Sequence, residues 1–186
     1  MKKILLAAVA ASAMTVSAEL KFATVDMAVL IRNHPDYDRN EKLLDSTDKD
    51  YQNKVDAIKG EGEALQAEGR KLLEQLNNPM LNDRAKADLK KNITDIQQKL
   101  LAIEQRYRAE SMRCNQDLHE LRQRLLKSVA GDIKKRVATF AKAKGYDLIL
   151  DSNAAAYASE QLDVTFSVLS DMGVDPSKAK GADEGK

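Results

Sequence analysis

The side chains that most often carry out chemistry are few in this chain and far apart. Its 186 residues include only two His, His34 and His119, and one Cys, Cys114. A Cys/His metal cage needs several such ligands at short spacings, and neither His has a second ligand nearby in sequence. No Gly-rich phosphate loop, nucleophile elbow or Ser-His-Asp set can be assembled either. The sequence therefore predicts a protein that is not an enzyme and that uses no metal or other cofactor.

The lone thiol and the two imidazoles are expected to have structural roles. Cys114 falls on an apolar helical stripe, where a small hydrophobic side chain packs well. The alternative for Cys114 is a disulfide between two chains, which arms held apart would discourage. We expect His34 and His119 at surface or turn positions rather than at a metal or a catalytic site.

Charged side chains offer binding chemistry instead. The 30 Lys and Arg nearly balance the 29 Asp and Glu, so no overall basic field predicts a nucleic-acid partner. Residues 36–63 nevertheless carry nine acidic and five basic side chains, whereas residues 70–91 carry six basic and three acidic ones. We expect the basic group to contact a binding partner or lipid, with an ordinary solvated helix surface as the alternative. Its members are Arg70, Lys71, Arg84, Lys86, Lys90 and Lys91.

Residues 1–18 have the pattern of a cleaved secretory signal. Lys2 and Lys3 precede an apolar run, and small side chains at Val16 and Ala18 fit a signal peptidase site. The alternative is a membrane anchor, but the run is shorter than the roughly 20 residues that cross a bilayer. Cleavage after Ala18 would remove two basic and no acidic side chains, so the formal charge would fall from +1 to −1. A cell-envelope or extracellular compartment follows.

The composition and the apolar spacing predict long helices. A chain with 32% charged and 4% aromatic residues has little material for a thick core, which favours an elongated helical protein. From about Glu41, apolar residues recur every seven positions, and a second stripe follows a turn at 77–82 and stops at Gly145. The first stripe is Leu44, Tyr51, Ile58, Leu65 and Leu72, and the second begins with Leu89, Ile93, Ile96, Leu100, Ile103 and Tyr107. We therefore predict an antiparallel helical hairpin, the arm, over residues 41–144, with its tip near 77–82.

Three glycines interrupt the outgoing helix of this arm, namely Gly60, Gly62 and Gly69. Each should cost about 1 kcal/mol relative to Ala inside a helix. Our hypothesis is that they form a flexible segment that lets the arm bend. The alternative is a region under little selection for rigidity.

The segments on either side of the arm are predicted to form a small body. Residues 22–26 and 146–151 have strand patterns, residues 154–159 can return as a further strand, and Asp163 or Thr165 can cap a short helix that ends at Met172. The body would thus contain residues 19–40 and 145–172. Residues 173–186 are almost without apolar side chains, and we expect a disordered tail.

Three short strands cannot close a sheet within one chain, since their edges and one apolar face remain open. Strands from several copies would complete a shared core, so we predict an α+β fold whose β body is completed by oligomerisation. The candidate assembly residues are Phe22, Val25, Leu148, Ile149, Leu150 and Tyr157.

This combination resembles the family of periplasmic Skp or OmpH-like chaperones. The resemblance rests on the segment 22–27 directly after a signal peptide, on the charged hairpin, and on residues 145–157 followed by 162–165. It implies a periplasmic homotrimer whose three arms enclose a cavity that holds unfolded outer-membrane proteins without ATP. Transient contact with the membrane or with lipopolysaccharide is a further expectation for the basic group at 70–91. The best-known members of the family are strongly basic, whereas the mature chain here is close to neutral.

Two functional hypotheses remain open at this level. The first is a holdase chaperone that binds clients through many weak contacts along its arms. The second is a structural coiled-coil spacer or tether of the cell envelope. A spacer should keep regular heptads, so the interrupted stripe favours the first hypothesis.

Overall fold

A computed structural model describes residues 20–180, and these form a small body that carries one long helical arm. The predicted signal peptide at 1–18 lies outside the described residues. The predicted α+β class is confirmed, with two long helices in a hairpin and one small sheet.

The sheet of the body has two parallel strands. Strand β1, Phe22–Val25, pairs with strand β2, Leu148–Asp151, in a register that sets Phe22 opposite Leu148. Parallel neighbours require a long crossover connection. In this chain the whole arm is that connection, so both of its ends are fixed to one sheet.

The arm consists of helix α2, Tyr37–Leu76, and helix α3, Asp83–Lys144. Their 40 and 62 residues correspond to about 60 Å and 93 Å at 1.5 Å per residue. The Asn82 side chain caps α3 by accepting a hydrogen bond of 2.8 Å from the Ala85 N–H. Gly145 ends α3 in the left-handed conformation at φ 70°, which glycine adopts without strain. The predicted turn and the predicted stop are both confirmed.

The predicted apolar stripes face each other along the hairpin. Leu44 and Ile58 of α2 are buried, as are Ile96 and Cys114 of α3, and the other members of the first stripe are half-buried. Tyr107 was expected on the second stripe but remains exposed. The contact between the helices is therefore thin, with a fully covered side chain only at intervals.

The core of the body is built from β1, the end of α3 and two short helices, with Ile149 of β2 packed against it. Helix α1, Met27–Arg32, starts at Asp26, whose side chain accepts from the Ala28 and Val29 N–H groups, and α4 spans Thr165–Asp171. No helix was predicted from the sequence at the α1 segment. The most deeply buried side chains are Leu30, Ile133, Val168 and Leu169.

The core also includes residues 129–140 of α3. The last turns of that helix therefore pack in the body, although the arm was predicted to extend to residue 144.

The predicted strand at 154–159 does not form. Asp151 Oδ1 accepts from the Asn153 N–H and caps a 3-10 turn at Ser152–Ala154. The free edge of β1 pairs instead with a single residue, Asp163, and the Val164 N–H donates to the Thr24 carbonyl at 2.9 Å.

The expectation of a disordered tail from Gly173 is also wrong as far as Lys180. Residues 174–180 contain a 3-10 turn at Pro176–Lys178, and two of their side chains pack on the core. Residues 181–186 lie outside the described part.

Candidate functional site

One face of the two-stranded sheet carries three apolar side chains that remain exposed. Phe22, Leu148 and Leu150 are 48%, 45% and 45% exposed, and the strand register sets the first two side by side. Tyr157, in the segment after β2, is 87% exposed. An apolar surface of this kind typically marks a contact with another molecule.

Two of the predicted assembly residues lie on the other face. Val25 is buried in the core of its own chain, and Ile149 is half-buried against the same core. Strand alternation separates them from Leu148 and Leu150, because successive side chains point to opposite faces. Of the predicted assembly residues, Phe22, Leu148, Leu150 and Tyr157 are therefore the ones exposed on the surface of this chain.

The predicted basic group surrounds the tip of the arm. Of its six side chains, all but the half-buried Lys86 are exposed, and none forms an ion pair with another residue of 20–180. Met80, in the turn between the helices, is 89% exposed. The tip thus combines unpaired cations with an apolar side chain.

A groove between the two helices lies in the middle of the arm. Its lining includes Gly62, Leu100, Leu101 and Tyr107. Beside it, the Arg106 guanidinium and the Glu61 carboxylate bridge α3 and α2 through two hydrogen bonds of 2.8 and 3.1 Å. This groove was not predicted from the sequence, although a second apolar residue, Leu101, directly follows the stripe residue Leu100. The groove could receive an apolar side chain from another polypeptide.

The three arm glycines differ in their surroundings. A Cβ atom added at Gly62 or Gly69 would lie 3.4 Å from a methyl group of Ile103 or Ile96, at the limit of ordinary contact. One added at Gly60 would meet nothing within 4 Å. Gly62 and Gly69 therefore face the returning helix, and only Gly60 faces open space.

His34 has a role that its isolation in sequence did not suggest. It is buried in the corner between α1 and α2, where its Nδ1 accepts from the Asp36 N–H at 3.1 Å. The hydrogen is therefore on Nε2, which donates to Asp132 Oδ2 at 3.1 Å. Arg136 Nε donates to the same oxygen at 2.7 Å. The expected turn position is correct, but the side chain also ties the corner to α3.

The Arg136 guanidinium, and secondarily the His34 ring, hold the pKa of the Asp132 carboxyl below its ordinary value of 3.8.

His119 is exposed and its Nε2 lies 2.8 Å from the Gln123 side-chain amide. Burial raises the pKa of the Cys114 thiol, which disfavours the reactive thiolate and agrees with a packing role. Within residues 20–180, no three His, Cys, Asp or Glu side chains are grouped as metal ligands.

No helix within residues 20–180 contains a stretch that is both long and apolar enough to cross a membrane.

The fold and these surfaces define an α+β protein with a helical hairpin arm, whose exposed features suit contacts with other chains. The chain belongs to the family described as outer membrane protein (OmpH-like), whose model matches residues 21–172. It is 27% identical to a chaperone protein Skp from Yersinia enterocolitica over 171 residues, which cover 91% of this chain and 98% of the relative. A chaperone protein Skp from Pectobacterium atrosepticum is 24% identical, with the same coverage of both chains.

Proposed function

We propose that the chain is an ATP-independent holdase chaperone of the periplasm, which keeps unfolded outer-membrane β-barrel proteins from aggregating. The observation that carries this proposal is the family match over residues 21–172, together with chaperone relatives aligned over 91% of the chain. The relatives are named as chaperones, which agrees with the prediction from the sequence that the protein is not an enzyme.

The arm surface supports this proposal. Unfolded β-barrel chains present both apolar and charged segments, and the arm offers a groove with Leu101 and Tyr107 as well as unpaired cations at its tip. Each such contact is weak, but many of them on one tethered client add up to a useful affinity. A client could therefore be held without one deep binding site.

The proposal includes a homotrimer whose arms surround a common cavity. A two-stranded sheet with an open apolar face is marginal in water, and Phe22, Leu148 and Leu150 would be covered by other copies of the chain. The mass of the mature protein by light scattering at micromolar concentration tests this part. We expect three times the mass of one chain, and a folded monomer would contradict it.

A charge at position 148 distinguishes a loss of assembly from a loss of folding. Leu148→Asp should dissociate the trimer and keep the helical content, because the side chain is about half exposed in the single chain. The control is Leu101→Asp on the arm, which should leave the mass unchanged. Ile149→Asp is a harsher variant, since Ile149 also packs on the core of its own chain.

The chaperone activity is tested by diluting a urea-unfolded outer-membrane β-barrel into buffer with and without the protein. We expect suppressed light scattering at near-stoichiometric ratios and without ATP. Leu101→Ser should weaken the apparent affinity roughly fivefold, equivalent to about 1 kcal/mol, whereas Met112→Ser, at an exposed position outside the groove, should not. No suppression by the original protein would favour the spacer or tether.

A further inference from the structure

The segment that follows α4 turns back toward the base of the arm. Gly173 adopts the left-handed conformation at φ 79°, and its N–H donates to the Ser170 carbonyl. The Val174 N–H donates to the Leu169 carbonyl at 3.0 Å. This is the pattern of a glycine-terminated helix, and it reverses the direction of the chain.

The segment then follows the surface of the body. Val174 and Ala179 pack, partly buried, against the core. Between them, Asp175 Oδ1 accepts from the Ser177 N–H at 3.0 Å and from the Ser177 hydroxyl at 2.8 Å, and Pro176 begins the 3-10 turn. The turn thus has its own cap and an apolar anchor on each side.

Lys180 joins the backbone of this segment to the end of α1. Its N–H donates to Asn33 Oδ1 at 2.8 Å, and its carbonyl accepts from Asn33 Nδ2 at 3.0 Å. The same Nδ2 donates to the Val29 carbonyl at 2.8 Å. The Asn33 amide therefore both accepts from and donates to the backbone of a residue 147 positions away, in the pattern by which neighbouring strands pair. The same amide also caps α1.

The Lys180 side chain reaches the first turn of the arm. Its Nζ lies 2.6 Å from Asp38 Oδ1 and 5.8 Å from the centre of the Tyr37 ring. An ion pair this exposed stabilises little by itself. The position of the ion pair is more informative than its strength, because it lies beside Tyr37, the residue at which α2 begins.

We propose that residues 173–180 are a strap that holds the corner between α1 and α2 and thereby limits the movement of the arm relative to the body. The strap connects α4, α1 and the first turn of α2, which are the elements at the base of the arm. It lies beyond residue 172, where the family match ends. The strap is thus a feature of this chain that is separate from the proposed chaperone activity.

Two truncated forms of the mature protein test the strap. One ends at Met172 and lacks it, and the matched control ends at Lys180 and keeps it. We expect amide hydrogen exchange at residues 33–44 to be roughly tenfold faster in the shorter form, because two hydrogen bonds and an ion pair are lost. Exchange near the arm tip, at residues 83–95, should be unchanged. Unchanged exchange at 33–44, or equal acceleration at corner and tip, would overturn the proposal.

A substitution in the full-length mature chain covers the case in which the shorter form does not fold. Lys180→Glu places a carboxylate against Asp38 and should accelerate exchange at 33–44 roughly threefold. Lys135→Glu is the control, since Lys135 is exposed on α3, lies outside the strap and forms no ion pair with another residue of 20–180. Equal exchange in the two variants would contradict the strap. A normal aggregation assay for either variant would leave the chaperone proposal intact, so the two proposals can fail separately.

Discussion

The body and the arm are stabilised in different ways, although helix α3 runs through both. In the body, Ile133 of α3 is 0% exposed and belongs to a core built with α1, β1 and α4. In the arm, Ile96 of the same helix is 4% exposed, but it faces α2 at Gly69. Two side chains with nearly equal burial therefore depend on very different numbers of neighbouring elements.

This difference indicates where the molecule is rigid. A core formed by several elements cannot open at one place without disturbing the rest, whereas a hairpin seam can open locally at small cost. The arm also keeps most of its charged surface in water. A rigid body that carries an adaptable arm suits the capture of unfolded chains of different sizes under the proposed function.

Substituting these two isoleucines should show the largest effect. We expect Ile133→Ala to lower the free energy of unfolding by about 3–5 kcal/mol, because the surrounding core cannot collapse into the cavity. Ile96→Ala should cost about 1–2 kcal/mol, since the two helices can approach each other to fill the space. Urea unfolding followed by circular dichroism measures both. Equal losses would mean that the seam of the arm can collapse around a cavity no better than the core of the body.

Acid should affect the body through Asp132. Its folded-state pKa is lowered, so its stabilising contribution is fully present above the ordinary value of 3.8 and is lost as the pH falls through the lower folded value. We expect Asp132→Asn to be less stable than the original protein at pH 7, with a smaller further loss of stability below pH 4. Melting temperatures between pH 7 and pH 2.5 test this. Parallel curves for the two proteins would contradict it.

Charge reversal at the tip should change binding without changing the fold. Lys86, Lys90 and Lys91 replaced by Glu should slow association with an acidic unfolded client roughly three- to tenfold at low salt, because exposed charges act mainly by steering. The same change at Lys127, Lys134 and Lys135, near the body end of α3, is the control. Stopped-flow mixing at two salt concentrations measures the rates. Equal rates for both triple variants would leave the tip cations as ordinary solvated side chains.

The glycines should give the smallest effect. Gly60→Ala should stabilise the arm by about 0.5–1 kcal/mol, because the new methyl group meets open space. Gly62→Ala should gain no more than this, since its Cβ would lie 3.4 Å from the Ile103 methyl group. Thermal unfolding compares the two.

The flexible-segment hypothesis predicts in addition that the triple Ala protein, with Gly69 also replaced, protects a narrower range of client sizes. Equal protection of small and large barrels would rule out a functional hinge at these glycines.

Local sequence patterns were sufficient to predict the hairpin of two long helices. The heptads, the Asn82 cap and the Gly145 stop act within a few residues, so the two long helices and their turn could be predicted. The two strands that form were predicted for the same reason. Which of their faces packs on the core was not predicted, because either face of a strand of four residues can be turned toward the core. Val25 and Ile149 were therefore assigned to the assembly surface when they pack on the core of their own chain.

What the sequence determined by itself was the two long helices, the two strands that form and the antiparallel arm, since the hydrogen bonds and apolar spacing behind them are local. Only the tertiary structure decided that His34 is buried against Asp132, 98 positions away, and that Lys180 holds Asn33 across 147 positions. It also decided that the last turns of α3 belong to the body. The physical reason is that these contacts depend on where the sheet brings the two ends of the arm together, which no local spacing of residues encodes.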